Sequence, residues 1–210
     1  MSDLSQFFGV DVATAQFCSW RRCLSKWSPA MLTLFFGIGF LGLCAVGVKA
    51  QEILPPGGGA AEHERISLGV NGIRGQRGLP ALSEDARLRH AAQNYVHFLA
   101  MGNHREGAPG IHTADGKNPQ QRANDAGFRC PVSENVAAAW FSPSCQGTNP
   151  ACDNSNRATA QAINFWTNSP PHFATMTNPS FTLTGIGVDA WKFGNEDFYI
   201  FVMLFSAPCP

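Results

Sequence analysis

The sequence predicts an α+β protein: a three-layer α-β-α sandwich with a small, mainly antiparallel central sheet, preceded by an N-terminal apolar helix. Apolar residues recur at helical spacing between residues 62 and 102 and again between 157 and 168. Two runs rich in β-branched and aromatic residues, 181–191 and 197–206, close the chain, and the second has no polar alternation. Such a strand is covered on both faces, which favours helices above and below the sheet over a doubly wound Rossmann arrangement.

Residues 1–50 are predicted to be a leader. Residues 30–48 carry no charge, and Arg21, Arg22 and Lys26 precede them. A basic flank, an apolar run and the small-residue sequence VKA before Gln51 are typical of a signal peptide. The run also approaches the roughly 20 residues that span a bilayer, so an uncleaved anchor is the alternative. Both interpretations predict export. A cleaved protein would be extracellular or periplasmic, and an uncleaved one would be tethered to the membrane by this segment alone.

The charge balance of the exported part argues against nucleic acid as a partner. After residue 50 the chain holds 11 basic and 13 acidic residues, and the basic ones form no cluster. Proteins that bind DNA or RNA concentrate lysine and arginine on one surface to neutralise phosphates. The sequence therefore predicts no nucleic-acid binding.

The exported part contains four cysteines, Cys130, Cys145, Cys152 and Cys209. An even number in an oxidising compartment predicts two disulfides, for which three pairings exist. Cys145 and Cys152 bracket a short polar loop and are expected to pair, which leaves Cys130 with Cys209. A zinc site is the rival interpretation, but no histidine lies at finger-like spacing near these cysteines.

The exported chain divides into a Pro/Gly linker at 51–61, expected to be irregular, and one domain at 62–210. Ser83 is the expected N-cap of the second helix and Gly102 its stop signal. Gly194-Asn195 is expected to form the turn of a C-terminal hairpin. The elements predicted in the domain are helices at 62–75, 84–102, 119–126 and 157–168 and strands at 136–140, 181–191 and 197–206.

Three histidines at intervals of seven, His90, His97 and His104, do not predict a metal site. Seven helical residues advance about 10.5 Å, whereas a zinc ion lies about 2 Å from each nitrogen that binds it. These residues also lie opposite the apolar face of their helix, so they are expected to face solvent.

His112 and Glu134 are candidate site residues. His112 lies in the loop GIHTADG, away from any apolar stripe, and Glu134 stands at the entrance to a strand that should be buried. An isolated buried carboxylate is costly, so Glu134 must be paired. One or two histidines would satisfy it, and their own pKa values would rise in return.

His172 follows a double proline in the segment FWTNSPPHFATM, residues 165–176. Proline cannot continue a helix, because it lacks the backbone donor and crowds the preceding turn. Pro170 and Pro171 are therefore predicted to end the preceding helix and to hold His172 on a rigid turn. The expected result is a cleft in which His172 faces His112, with Glu134 orienting one or both rings.

The ordered set of motifs resembles the CAP superfamily of cysteine-rich secretory, antigen 5 and pathogenesis-related proteins, in particular its bacterial secreted SCP-like branch. The segments that carry the resemblance are IHTADG, RANDAGF, SENVAAAW and FWTNSPPHFATMTNPSFTLTGIGV, within residues 66–206. It implies a sandwich of CAP type with a cleft lined by two histidines and two glutamates. His112, Glu134 and His172 occupy three of those positions, and Ser169 stands where the second glutamate is expected.

The resemblance implies a non-enzymatic exported protein that holds an optional divalent cation such as zinc between His112 and His172. It also implies a small apolar ligand or lipid, or a surface partner. The apolar residues Trp140, Phe141 and Phe173 are compatible with a groove, although such residues more often belong to a core. The alternatives are a peptidase or esterase, for which Ser169 is the candidate nucleophile, and a purely structural surface module. No G-x-S-x-G elbow supports the hydrolase.

Overall fold

The computed structural model describes residues 52–53, 59–102, 104, 110–141, 153–193 and 196–208, all in the unit Gly47–Pro210. The predicted leader and its apolar segment lie outside these residues. No helix in the described part of the chain is long and apolar enough to span a membrane. The elements run β1 (Glu52–Ile53), α1 (Ala60–Gln76), β2 (Ser83–Glu84), α2 (Ala86–Met101), α3 (Pro119–Asp125), β3 (Val132–Phe141), α4 (Asn154–Asn168), α5 (Pro170–Met176), β4 (Leu183–Phe193) and β5 (Glu196–Ser206).

The five strands form one sheet in the order β1-β4-β5-β3, with β2 added alongside β4. Only the short β2–β4 pairing is parallel, so the predicted mainly antiparallel sheet is confirmed. β4 and β5 pair along their full lengths, from Leu183 opposite Ser206 to Phe193 opposite Glu196. The two residues between them, where the turn is predicted, lie outside the described part.

Helices cover both faces of the sheet, which confirms the predicted three layers. Ile66 of α1, Trp166 of α4 and Met176 of α5 are buried on one face, and Leu88 of α2 and Ala123 of α3 are buried on the other. β5 supplies both cores by strict alternation, because successive side chains of a strand point to opposite faces. Its contributions are Phe201, Met203 and Phe205 to the first core and Ile200, Val202 and Leu204 to the second.

Two glycines of β4 let α2 lie directly against the sheet. A Cβ on Gly185 would stand 2.1 Å from the backbone carbon of Leu88, and one on Gly187 would stand 2.4 Å from the carbonyl oxygen of Ala92. Both contacts are closer than any side chain tolerates, so only glycine permits this packing. The sequence G-I-G-V thus presents two glycines to α2 and, by alternation, two apolar residues to the other core.

The start of α2 and the linker differ from prediction. Ser83 is not the N-cap: Asp85 caps the helix, and its carboxylate accepts from the backbone N–H groups of Arg87 and Leu88. Ser83 instead belongs to β2, which pairs with β4. The linker is not irregular throughout, because Glu52–Ile53 pair with β4.

Arg74 is a fully buried cation on α1 that is satisfied entirely by backbone carbonyls. Its guanidinium donates to the carbonyl oxygens of Pro80, Met176, Asn178 and Phe181 at 2.7–3.1 Å. Burial lowers the pKa of Arg74 below its usual range. One side chain therefore ties α1 to the segment that connects α5 with β4.

The outer edge of β4 is partly closed by a side chain. β2 covers the beginning of β4 and β1 covers its end, which leaves Val188 between them. The amide of Gln93 donates to the Val188 carbonyl oxygen at 3.0 Å and accepts from the Val188 N–H at 3.2 Å. Gln93 thereby satisfies the two backbone groups of Val188 that a neighbouring strand would bind.

Cys130 is disulfide-bonded. It precedes β3, whose first residue, Val132, pairs with Ser206 near the C-terminus. Its predicted partner Cys209 and the predicted pair Cys145–Cys152 lie outside the described residues, so these pairings stay predictions.

Candidate functional site

The candidate site lies at the β3 edge of the sheet, where both helical layers reach one strand. β3 is the terminal strand of the sheet order. Glu134 shares the α2–α3 face with its neighbours Val132 and Val136, whereas Asn135 points to the opposite face. Trp166 of α4 donates its indole N–H to the Val136 carbonyl at 3.0 Å, which fixes α4 beside the same stretch.

Glu134 is the buried acid of the site, with 1% of its side chain exposed. Its Oε1 lies 2.8 Å from Nδ1 of His112, and its Oε2 accepts from Nη2 of Arg122 at 2.8 Å. Because an ionised carboxylate only accepts hydrogen bonds, the Nδ1 of His112 must be the donor. The structure thus gives Glu134 one histidine and one arginine, where sequence reasoning foresaw histidines alone.

Arg122 is the site residue that sequence reasoning missed. It lies on α3, in the quoted segment RANDAGF, and its side chain is 6% exposed. Nη1 donates to Asp115 Oδ1 at 2.9 Å and to the Lys117 carbonyl at 2.7 Å. Nη2 donates to Glu134 and, at 3.1 Å, to the His112 carbonyl. The available signal in the sequence was the position of Arg122 in RANDAGF, one of the segments that carry the family resemblance.

Tyr95 of α2 holds the loop of His112 from the other side. Its hydroxyl donates to the Ile111 carbonyl and accepts from the Ala114 N–H at 3.3 Å. The guanidinium carbon of Arg122 lies 3.4 Å from the centre of its ring, a cation–π contact. Burial raises the pKa of Tyr95, so its hydroxyl stays a donor. The loop that carries His112 is therefore clamped by two buried side chains.

His172 lies on a short helix and not on the rigid turn predicted for it. Pro170 and Pro171 occupy the first positions of α5, where proline is favoured because those backbone N–H groups would lack partners anyway. The double proline ends α4 and starts α5. Nδ1 of His172 lies 2.8 Å from Ser169 Oγ, and the His172 carbonyl accepts from Asn135 at 3.0 Å.

The pKa of His172 is lowered from 6.5, chiefly by burial and further by the charge of His112. The predicted rise for a histidine paired with Glu134 is therefore wrong for His172, since Ser169 and not Glu134 is its partner. Because His112 contributes to this shift, the two imidazoles lie close enough to interact electrostatically. The lowered pKa favours the neutral form of His172.

The donor set suits a cation only in part. Each imidazole is bonded through Nδ1, and neither Nε2 has a hydrogen-bond partner among the described residues. Imidazole nitrogen suits zinc and similar ions. Both oxygens of Glu134 are occupied, and in the described part of the chain no group of three or more His, Cys, Asp or Glu residues could hold a metal. Two nitrogens would therefore be the protein ligands, and water would complete the shell.

Among the described residues no serine triad is assembled. Ser169 and His172 are hydrogen-bonded, but the acid that should orient the imidazole, Glu134, contacts His112 instead. Pro170 and Pro171 also lack the backbone N–H groups with which the start of a helix would stabilise an oxyanion.

The three aromatic residues considered for an apolar groove lie on two faces of the sheet. Phe141 belongs to the α1–α4–α5 core, and Phe173 packs against that core beneath the guanidinium of Arg77. Trp140, 48% exposed, points to the other face of β3. A groove of about 360 Å³ lies beside His172, lined by Gln161, Asn164, Phe165, Asn168 and Ser169.

The histidines at intervals of seven play no part in the site. His90 and His97 of α2 are exposed, as predicted. His97 contacts Asp189 of β4 at 3.1 Å, and His104 stacks on Phe98.

Comparisons with known proteins agree with this fold. The profile of the CAP family, described as the cysteine-rich secretory protein family, matches residues 69–205. An outer surface protein of Borrelia burgdorferi is similar in structure, with 21% identity, a TM-score of 0.54 and coverage of 76% of this chain and 100% of that chain. An extracellular protein of Bacillus anthracis containing an SCP domain has 19% identity, a TM-score of 0.52 and coverage of 70% of this chain and 41% of its own. At these identities the likeness concerns the fold alone. A comparison with curated proteins gave no match.

Proposed function

Because the chain belongs to the CAP family, the cysteine-rich secretory proteins, we propose that it is an exported, non-enzymatic protein whose His112–His172 cleft binds a divalent cation. The metal would be held by the Nε2 atoms of the two imidazoles. When bound, it would supply a positive centre able to ligate an acidic or carbonyl group of a partner.

The contact between Glu134 and His112 carries this proposal. A carboxylate on Nδ1 leaves the Nε2 lone pair of His112 available for a metal, as in the carboxylate–histidine–zinc arrangement of many metal sites. The side chain of His112 is 45% exposed, so an ion can reach it.

The neutral state of His172 favours the same role. A metal competes with protons for imidazole nitrogen, and a lowered pKa weakens that competition. The hydrogen bond to Ser169 fixes the ring through Nδ1 and again leaves Nε2 open. With two protein ligands and no carboxylate on the ion, the affinity should be weaker than at sites with three or four ligands.

Three observations support export. The family description names secretory proteins, and the two similar structures are an outer surface protein and an extracellular protein. Cys130 is disulfide-bonded, and disulfides persist in oxidising compartments. The basic flank and apolar segment before residue 50 fit a signal peptide or an anchor.

The groove beside His172 is proposed as the ligand site. Phe165 is 38% exposed and offers an apolar ring, while three carboxamides and a hydroxyl offer donors and acceptors. This lining favours an amphipathic ligand over a purely apolar chain. A fluorescent sterol is a suitable probe: Phe165→Ala should weaken its binding, and Phe98→Ala, equally exposed on α2, should not. Equal affinities for all three proteins would remove the groove from the proposal.

Zinc titration by calorimetry tests the cation site. The purified protein should show a zinc-binding component in the titration that is lost in both His112→Ala and His172→Ala. His97→Ala is the matched control, since His97 is also a histidine bonded to a carboxylate. Cysteines elsewhere in the chain can bind zinc as well, so only the component lost with the two imidazoles counts. If both variants bind zinc as the unaltered protein does, the cluster is structural.

A further inference from the structure

We propose that Arg122 is a positioning residue for the cation site, which sets the orientation and tautomer of His112 through Glu134. The inference rests on the proposed function, because His112 is there a metal ligand. Arg122 would not touch the ion itself. It acts on the carboxylate behind the imidazole and on the backbone that carries the imidazole.

The four N–H groups on the two terminal nitrogens of Arg122 are all used. Two bonds reach carboxylates, Asp115 and Glu134, and two reach carbonyls of the loop, His112 and Lys117. The third nitrogen, Nε, is buried and has no partner among the described residues. One side chain thus links β3, α3 and the loop of His112.

The contact on Glu134 decides which oxygen faces His112. With Oε2 bonded to Nη2, the carboxylate cannot rotate, and Oε1 is directed at the Nδ1 of His112. The proton of a neutral imidazole resides on the nitrogen that has an acceptor. His112 is therefore held as the Nδ1–H tautomer, with Nε2 unprotonated.

Arg122 also positions His112 directly, through its hydrogen bond to the His112 carbonyl. The bond at 3.1 Å fixes the backbone of His112, and the carboxylate at 2.8 Å fixes its side chain. Lysine cannot replace this arrangement, because one ammonium has three donors and no planar fork. A lysine here would keep the charge and lose part of the geometry.

Arg74 is the matched comparison. It is as deeply buried as Arg122 and makes four hydrogen bonds, but all four go to carbonyls of other segments and none to a carboxylate or to the His112 loop. A purely structural arginine should therefore affect stability without affecting the imidazole. Comparing variants of Arg122 and Arg74 therefore distinguishes an effect on the imidazole from a general effect on stability.

The test measures the tautomer of His112 by long-range ¹H–¹⁵N NMR of the metal-free protein above pH 7, where imidazoles are neutral. The unaltered protein should show Nδ1–H. Arg122→Met should shift the signal toward the Nε2–H form, with Arg122→Lys intermediate and Arg74→Lys unchanged. Zinc affinity measured on the same proteins should fall by about 10- to 100-fold in Arg122→Met, the usual effect of losing a supporting contact behind a ligand.

The outcomes separate this proposal from the proposed function. An Nδ1–H tautomer that persists in both Arg122 variants overturns the positioning role, whatever zinc does. If Arg122→Met does not fold, the lysine variant decides alone, and a tautomer identical to that of the unaltered protein overturns the proposal. A shifted tautomer in a protein whose histidines bind no zinc supports positioning by Arg122 and refutes the cation site.

Discussion

Replacing Arg122 with methionine should destabilise the fold by about 3–5 kcal/mol, the usual cost of removing one partner of a buried ion pair. Glu134 is 1% exposed and would lose the arginine that binds its Oε2. Two loop carbonyls would lose their donor in addition. Methionine fills a similar volume, so the loss measures interactions and not a cavity.

Replacing Glu134 with glutamine should cost less, about 1.5–3 kcal/mol, which is the range of a hydrogen bond to a charged group. The two losses of stability differ because the residue left behind keeps different partners in each variant. Without the Glu134 charge, Arg122 still has the carboxylate of Asp115 and two carbonyls. Glutamine retains one oxygen that can accept from Arg122.

Urea unfolding followed by tryptophan fluorescence checks both values, and the double variant completes a thermodynamic cycle. Residues in direct contact usually couple by about 0.5–3 kcal/mol, so the double variant should be more stable than the sum of the single losses predicts. The denaturant slope should be the same in all four proteins. Losses that add to within about 0.5 kcal/mol, or an Arg122 variant that costs no more than the Glu134 variant, would refute the reasoning.

Gly187→Ala should cost about 1–3 kcal/mol or more, because its Cβ would overlap the backbone of α2; Gly72→Ala, on open helix surface, should be neutral or stabilising by up to about 1 kcal/mol. Equal urea midpoints for the two would contradict the close-packing argument. The lowered pKa of His172 means that the unfolded chain takes up the proton first, so stability should fall as pH decreases below about 6.5. Unfolding measured from pH 7.5 to 5 should show a shallower fall in His172→Gln, and an unchanged slope would exclude this residue as a cause. Ser169→Ala should leave hydrolysis of a nitrophenyl ester at the level of the unaltered protein, whereas a loss of turnover would restore the hydrolase hypothesis.

Local patterns in the sequence are sufficient to predict the layers. Helical spacing along α2 and the unbroken apolar run of β5 depend only on which faces are buried, and both faces are filled as expected. Ser83 was misassigned because its role depends on a distant partner. Ser, Glu and Asp stand in a row before α2, and only the pairing of β2 with β4 moves the cap from Ser83 to Asp85.

The predicted pairing of Glu134 with a histidine is present, whereas its contact with Arg122 was not predicted, and the role of these residues in a site stays a prediction. Burial of Glu134 followed from its place before an apolar strand, but its choice of Arg122 over a second histidine depends on how α3 packs against β3. The double proline was interpreted as a stop because proline lacks the backbone donor and crowds the preceding turn. Its fixed φ, however, suits the first turn of the next helix. Sequence alone does not tell which use a chain makes of Pro170.

Gln93 has a consequence for how copies of this protein meet one another. A second molecule that tried to add its own strand along β4 would find the polar groups of Val188 already taken and flanked by β1 and β2. Exposed sheet edges are the usual starting points for ordered aggregates. The side-chain amide of Gln93 thus hinders the pairing of another molecule's strand with the middle of β4.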